Sequence, residues 1–214
     1  MFRDRMHAGK KLAEALSEYR NGNAIVLAIP RGGVEVGFEV ARKLNAEFSI
    51  IVSRKLPFVD EPESGFGAIA EDGSIFMLDD TYNIYSKEVV GEIIREQKKE
   101  TARRVDVLRG GKPLPEIKGR TVIIVDDGIA MGSTMKAAIM LCRKAKAKRI
   151  IAAAPVTSLM RLIELSHIAD QAVAVETPDN FCAVASSYEN WYDVNDYEVI
   201  DLMEAWEDLR REQF

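Results

Sequence analysis

The chain has 214 residues, 47% hydrophobic and 29% charged, enough for one α/β domain with a full core. A net charge of −5 argues against broad nucleic-acid binding, which needs excess Lys and Arg to neutralise phosphates. No apolar run reaches membrane-spanning length and no signal peptide opens the sequence, so a cytoplasmic protein without a membrane partner is expected.

In chain order, Phe2, Met6, Leu12, Leu16 and Tyr19 recur at helical spacing and predict a helix over 2–20, stopped by Asn21-Gly22. His7, inside it, has no partner legible in the sequence. Ala24 to Ile29 is a short apolar run of buried-strand type. It leads into Pro30-Arg31-Gly32-Gly33 and then a helical repeat of Val34, Gly37, Val40, Ala41 and Leu44. Glycines let backbone N–H groups approach an anion closely, and Arg31 adds a permanently charged planar fork suited to phosphate oxygens. The competing reading of this turn is a plain tight turn with a solvated arginine. A second strand, Phe48 to Val52, ends at Ser53-Arg54-Lys55, two cations on the edge where ligands of open α/β sheets gather; a solvated basic pair is the alternative.

From Leu56 to Gly73, two prolines, three glycines and five acids weaken the pattern, and a loop this long is either functional or disordered. Ala68-Ile69-Ala70 and Ile75 to Leu78 fit a small hairpin across Glu71-Asp72-Gly73-Ser74. Residues 86–109 are the longest helix candidate, with Ser86 as cap and Gly110-Gly111 as stop. Its Lys98, Lys99, Arg103 and Arg104 interleave with Glu96, Glu100 and Asp106, which predicts a solvated face with helical ion pairs rather than a nucleic-acid patch.

The chain is organised around residues 121–136. Val122 to Val125 read as a strand buried on both faces, followed by Asp126 and Asp127, a turn carrying Gly128 and Gly132, and a helix opened by Ser133-Thr134. Free N–H groups of a first helical turn and the helix dipole make an anion cradle. The acids would repel that anion, so they suit sugar hydroxyls or a divalent cation instead. A ligand with a phosphate at one end and a diol, with metal, at the other is implied. Downstream come a strand at Ile150 to Ala154, a short helix at 158–166 and a strand at Val173 to Val175, with His167 read as a capping or surface residue. Cys142 and Cys182 lack metal spacing and read as buried free thiols. Phe181, Tyr188 and Trp191 lie in an aromatic segment on which a planar ring could stack, or which forms a minicore pinning the tail. Asn195 to Glu198 resembles a capping box that starts a last helix. Strands alternating with helices predict an open, mostly parallel α/β sheet with helices on both faces, in a single domain over 1–214.

The stretch 121–136 resembles the phosphoribosyl pyrophosphate (PRPP) signature of the type I phosphoribosyltransferases: a hydrophobic strand, an acidic pair and a small Gly/Thr-rich loop. The resemblance implies that Asp126 and Asp127 hold the ribose, and Mg²⁺ either directly or through water or PRPP oxygens. It implies that Ala130, Met131, Gly132, Ser133 and Thr134 wrap the 5′-phosphate. It puts Arg31, Gly32 and Gly33, where the family often has a non-proline cis peptide, on the pyrophosphate, with Arg54 and Lys55 reaching the same group. It further implies a mobile loop over about 55–80 and a small hood over about 177–195 in which Phe181, Tyr188 and Trp191 meet the acceptor. Two departures stand out: Ala130, where members often have Asp or Thr, cannot act as acid or base, and Met131 offers only its backbone N–H. The runs Ser53-Arg54-Lys55-Leu56-Pro57, Gly65-Phe66-Gly67-Ala68-Ile69 and Asp126 to Ala130 are similar to a bacterial and archaeal group of unsettled acceptor.

Several rivals fail on chemistry. Gly128 and Gly132 enclose three residues and precede Ser133, so this is not a P-loop. No G-x-G-x-x-G follows a strand, the adjacent aspartates do not fit a haloacid-dehalogenase-type phosphatase, and no Cys/His cluster has zinc spacing. The expected activity is transfer of ribose 5-phosphate from PRPP to a small nitrogenous acceptor, with Mg²⁺, Asp126, Asp127, Arg54 and Lys55 as the reacting-centre residues. A PRPP- or nucleotide-sensing regulator on the same fold is the alternative. Relatives in the family are often dimers, so the resemblance leaves a homodimer open without fixing the assembly; the acceptor is left open among purines, pyrimidines and other nitrogen compounds.

Overall fold

The computed structural model describes residues 1–212, so the last two residues of the expected domain lie outside the described residues. In chain order the elements are α1 (Arg5–Ala15), β1 (Ala24–Ala28), α2 (Gly33–Leu44), β2 (Glu47–Ile50), β3 (Ser53–Pro57), β4 (Gly65–Ala70), β5 (Ile75–Met77) and α3 (Thr81–Ile84). There follow α4 (Lys87–Arg109), β6 (Thr121–Val125), α5 (Ser133–Lys144), β7 (Arg149–Val156), α6 (Leu159–Ile168), β8 (Gln171–Glu176) and α7 (Asp196–Glu212).

Five strands form a parallel sheet in the order β2-β1-β6-β7-β8. Their side chains alternate between two cores: Val26, Ala28, Ile123 and Val125 pack with residues of α1, α2 and α7, while Ile25, Leu27, Val122 and Ile124 pack with residues of α5 and α6. β1 is buried along its whole length, as its uninterrupted apolar sequence requires. A sheet sealed on both faces offers a ligand only the ends of its strands.

The segment expected as a mobile loop over about 55–80 is mostly a second, antiparallel sheet, β3-β4-β5. The β4–β5 hairpin turns over residues 71–74 as its sequence predicts; β3 was hidden because Leu56 is its one fully buried apolar side chain among Ser53, Arg54, Lys55 and Pro57. Leu56, Phe66 and Ile69 pack on Val90 of α4, and an irregular stretch, 58–64, remains at the tip. A buried ion pair ties this sheet to the main one. Glu71 accepts from the Arg109 guanidinium and from Val52 N–H (3.0 Å), while Arg109 also donates to the Ile50 carbonyl at 2.9 Å.

Helix ends follow their caps. α1 starts later than its apolar stripe predicts because Asp4 caps it, accepting from His7 N–H at 2.7 Å; Phe2 instead joins the aromatic segment, donating its N–H to the Ser187 carbonyl at 2.8 Å. α4 ends on Gly110 at φ 60°, and α7 opens with the expected capping box, Glu198 N–H to Asn195 Oδ1 at 3.1 Å and Asn195 N–H to Glu198 Oε2 at 2.8 Å. The α4 ion pairs form, Arg103 and Arg104 both meeting Glu100, although Arg104 is buried rather than solvated. Cys142 is buried, its thiol pushed up to about 12 by burial, whereas Cys182 is exposed, contrary to the sequence reading. Among the described residues no helix is long and apolar enough to cross a membrane.

Candidate active site

β1 and β6 are neighbours, yet the chain leaves β1 for β2 on one side and returns at β6 on the other. That reversal opens a crevice at their C-terminal ends. Two turns enter it. The first follows β1, where Ile29 N–H donates to the Val125 carbonyl at 2.8 Å, and its Pro30–Arg31 peptide is cis. A Cβ on Gly32 would lie 1.9 Å from Asp127 Oδ2, and one on Gly33 would lie 2.9 Å from the Val125 carbonyl and 3.0 Å from Asp126 Cα. Only glycine lets this turn lie directly on the acid pair.

The second turn follows β6. Ile129 is fixed to β7 by its N–H to the Val156 carbonyl (2.9 Å) and by the buried Thr157 hydroxyl donating to its carbonyl (2.7 Å). Gly132, at φ 77°, aims the chain into α5, and among the described residues no side chain caps that helix, so its first-turn N–H groups stay open to an anion. Ser133 is buried at this terminus, while Ala130 and Met131 are exposed. A cavity of about 210 Å³ lies here, lined by Asp126, residues 128–134, Lys55, residues 63–65 of the small-sheet tip and Val184. The Lys55 ammonium donates to the Glu63 carbonyl across it.

The two acids part company. Asp126 lines the cavity, with Oδ1 accepting from Asp127 N–H at 2.9 Å. Burial, then the Asp127 charge, raises its carboxyl well above the usual carboxylate range. Asp127 turns away onto Arg5, whose Nε donates to Oδ2 at 2.8 Å; burial raises it too, and the guanidinium opposes that rise. Arg5 is 3% exposed, donates to the Tyr192 carbonyl at 2.9 Å and lies 4.0 Å from the Trp191 ring centroid.

The expected cations are also separated. Arg54 and Lys55 are successive strand residues, so they point to opposite faces. Lys55 lines the cavity; burial lowers it and Glu63 opposes that. Arg54 faces α4, its Nε 3.3 Å from Gln97 Oε1, and burial followed by Arg104 pulls it below its ordinary value. Arg31 is outside the cavity lining, its guanidinium exposed and 3.6 Å from Asp196 Oδ1. Arg103 reaches the same carboxylate at 3.3 Å, so Asp196 draws Arg31 toward α4. Of the aromatic candidates, Tyr188 is buried against Phe2 and donates its hydroxyl to the Asp127 carbonyl at 2.5 Å. Burial raises its phenol far above the usual range. Phe181 packs on the same small core, and Trp191 keeps 37% exposure.

Arg5, Glu35 and Tyr192 escaped the sequence reading. Arg5 carried a signal: it falls on the buried stripe of α1 with Ala8, Gly9 and Leu12, and a cation on an apolar stripe has a partner. Glu35, 3.5 Å from Arg5 and accepting from the Tyr192 hydroxyl, carried none.

Residues 3–189 match the family model described as the phosphoribosyl transferase domain. A Mycobacterium tuberculosis H37Rv protein provisionally named a phosphoribosyl transferase is 36% identical over 206 residues, which is 95% of this chain and 46% of the relative. A second strain of that organism, CDC 1551, carries a relative of the same name and the same match, so the chain spans about half the length of the curated relatives it matches. The crystal structure of TT1426 from Thermus thermophilus is similar at 34% identity and a TM-score of 0.80, over 96% of this chain and 98% of that one.

Proposed function

The chain belongs to the phosphoribosyl transferase family and carries its type I fold, and on that premise we propose that it transfers ribose 5-phosphate from PRPP to a nitrogenous acceptor, releasing pyrophosphate. One observation carries the reading: the Gly32-Gly33 turn and the 128–134 turn meet on the same acid pair, beside a cavity that a cation, Lys55, also lines.

In this reading the open N–H groups of residues 130–134, with the Ser133 and Thr134 hydroxyls, hold the 5′-phosphate, and Asp126 accepts from the ribose hydroxyls. Gly32 and Gly33 present backbone to the pyrophosphate, and Lys55 balances its growing negative charge as the C1–O bond breaks. Arg31 joins them only by leaving Asp196, and Arg54 acts on the α4 side of β3. Trp191, the most exposed of the three rings, is the first candidate for the acceptor, a nucleobase being the planar nitrogen compound that suits it; Phe181 is the second, and Tyr188 is a buried support.

Mg²⁺ fits the donor set. Among the described residues no cluster of three acids, histidines or cysteines forms a metal cage, but a magnesium site needs only one or two carboxylates when substrate phosphates supply the rest. Asp126, half-buried on the cavity wall and in no ion pair among the described residues, is the carboxylate that would hold it; Asp127 is already held by Arg5. The ion would neutralise pyrophosphate charge.

Ala130 and Met131 supply no side-chain donor, and this favours a second reading, a PRPP- or nucleotide-binding regulator on the same fold. Labelled PRPP with Mg²⁺ and a panel of nucleobases separates the two, run alongside pyrophosphate with nucleoside monophosphates. An enzyme forms a labelled nucleotide from one base and PRPP from the matching nucleotide. Binding of PRPP without either product supports the regulator and overturns the transferase.

A further inference from the structure

Arg5 belongs to neither turn, yet it is the group on which the site converges. Its helix can lie against α2 because residue 9 is glycine: a Cβ there would sit 2.7 Å from the Val36 carbonyl and 2.8 Å from Glu39 Cβ. That approach sets the guanidinium between Asp127, Glu35 and the aromatic segment. Nε donates to Asp127 Oδ2 at 2.8 Å, Nη1 donates to the Tyr192 carbonyl at 2.9 Å and reaches Glu35 Oε2 at 3.5 Å. The Trp191, Tyr192 and Tyr188 ring centroids lie 4.0, 5.3 and 6.0 Å from Cζ. A buried cation with all its neighbours in place has one low-energy position, and removing a carboxylate partner leaves its charge uncompensated.

Asp127 is gripped from three directions. Arg5 holds its carboxylate, the Tyr188 hydroxyl donates to its carbonyl, and its own N–H donates to Asp126 Oδ1. A displacement of Asp126 by a ligand in the cavity therefore pulls on Asp127, and through Arg5 on the ring stacked over it. We infer that Arg5 is a positioning residue that joins the acid pair, through Asp127, to the aromatic segment, so that PRPP held at Asp126 in the cavity is registered at Trp191. This rests on the PRPP reading above and adds the wiring of that site. Coupling of this kind is reciprocal, so a change at Trp191 must alter PRPP affinity in turn.

The test titrates PRPP with Mg²⁺ into the full chain, following heat for affinity and tryptophan emission for the signal, with Trp191→Phe to assign that signal between the chain's two tryptophans. In the unaltered chain emission changes saturably at the affinity found by calorimetry. Arg5→Gln weakens binding about tenfold or more and abolishes the emission change; Arg5→Lys restores part of the affinity but not the ring signal, because an ammonium cannot make the forked contact. Trp191→Leu, which removes the ring over the guanidinium but leaves its Asp127 and Glu35 partners in the chain, weakens PRPP binding about threefold or more and covers the case in which Arg5→Gln fails to fold. A merely structural Arg5 would lower the melting temperature and leave the remaining emission response to PRPP intact. PRPP binding by the unaltered chain together with unchanged affinity and signal in a folded Arg5→Gln, or unchanged affinity in Trp191→Leu, overturns the positioning role alone. No heat of PRPP binding in the unaltered chain overturns the reading beneath it and the positioning role with it.

Discussion

Gly32 and Asp127 are in such close contact that no side chain fits between them: a Cβ on residue 32 would lie 1.9 Å from Oδ2. The carboxylate cannot swing aside, because Arg5 holds the same oxygen at 2.8 Å. The turn after β1 and the turn after β6 are therefore one structure.

Gly32→Ala forces that contact apart. A misplacement of about 1 Å can cost about 100-fold in a positioned site, so the variant is expected to lose PRPP affinity on that scale while circular dichroism keeps the native spectrum. Calorimetric titration checks it, and native affinity would separate this turn from the ligand.

Lys55 and Arg54 are neighbours in sequence and opposites in space. Lys55→Ala is expected to lower kcat/KM for PRPP by about 100-fold, the scale of losing one preorganised donor to a developing anion. Arg54→Ala, on the α4 side, is expected to cost less activity and more stability. Steady-state kinetics of both variants against their melting temperatures decides the assignment; equal kinetic losses would contradict the division.

The Glu71–Arg109 pair joins the small sheet to the main one from inside, with side-chain exposures of 11% and 5%. Glu71→Ala leaves the guanidinium buried and unpaired and strips Val52 N–H of its acceptor, which should cost about 3–5 kcal/mol in urea unfolding. A loss below about 1 kcal/mol would mean that water reaches the arginine.

Glu100 accepts from Arg103 and Arg104, which hold its carboxyl down at about 2. A folded-state value below the unfolded one contributes stability that is complete above the unfolded pKa, near 4.5, and lost as pH falls toward 2. Glu100→Gln should therefore melt below the native chain at pH 6, with the gap closing as pH falls from 5 to 2. A gap that does not change with pH would show that the two arginines do not depress this carboxyl.

Much of this was legible in the sequence because strong local patterns coincide with tertiary need. Val122 to Val125 is apolar at every position and is buried at every position; Asn195 and Glu198 sit at capping-box spacing and make both bonds. The glycines of both turns announced close backbone approach, and the geometry supplies it at Gly32 and Gly33. What failed depends on long-range partners. β3 is polar along most of its length and gains its pairing only from β4, while its Gly- and Pro-rich surroundings read as loop. Arg31 was aimed at a ligand by its neighbours in sequence, but Asp196, 165 positions on, claims its guanidinium. Asp126 and Asp127 looked equivalent; Arg5, from the far end of the chain, makes them different.

Asp126 is the side chain on which the functional reading turns, since it alone of the acid pair lines the cavity. The direct test is calorimetric titration of PRPP with Mg²⁺ into the unaltered chain, into Asp126→Asn, and into Asp126→Asn with Asp127→Asn. Saturable binding by the unaltered chain, lost in Asp126→Asn and in the pair while the circular dichroism of the single variant stays native, is the predicted result. An unaltered chain that binds no PRPP, or a folded Asp126→Asn that binds it as well as the unaltered chain does, would contradict the account.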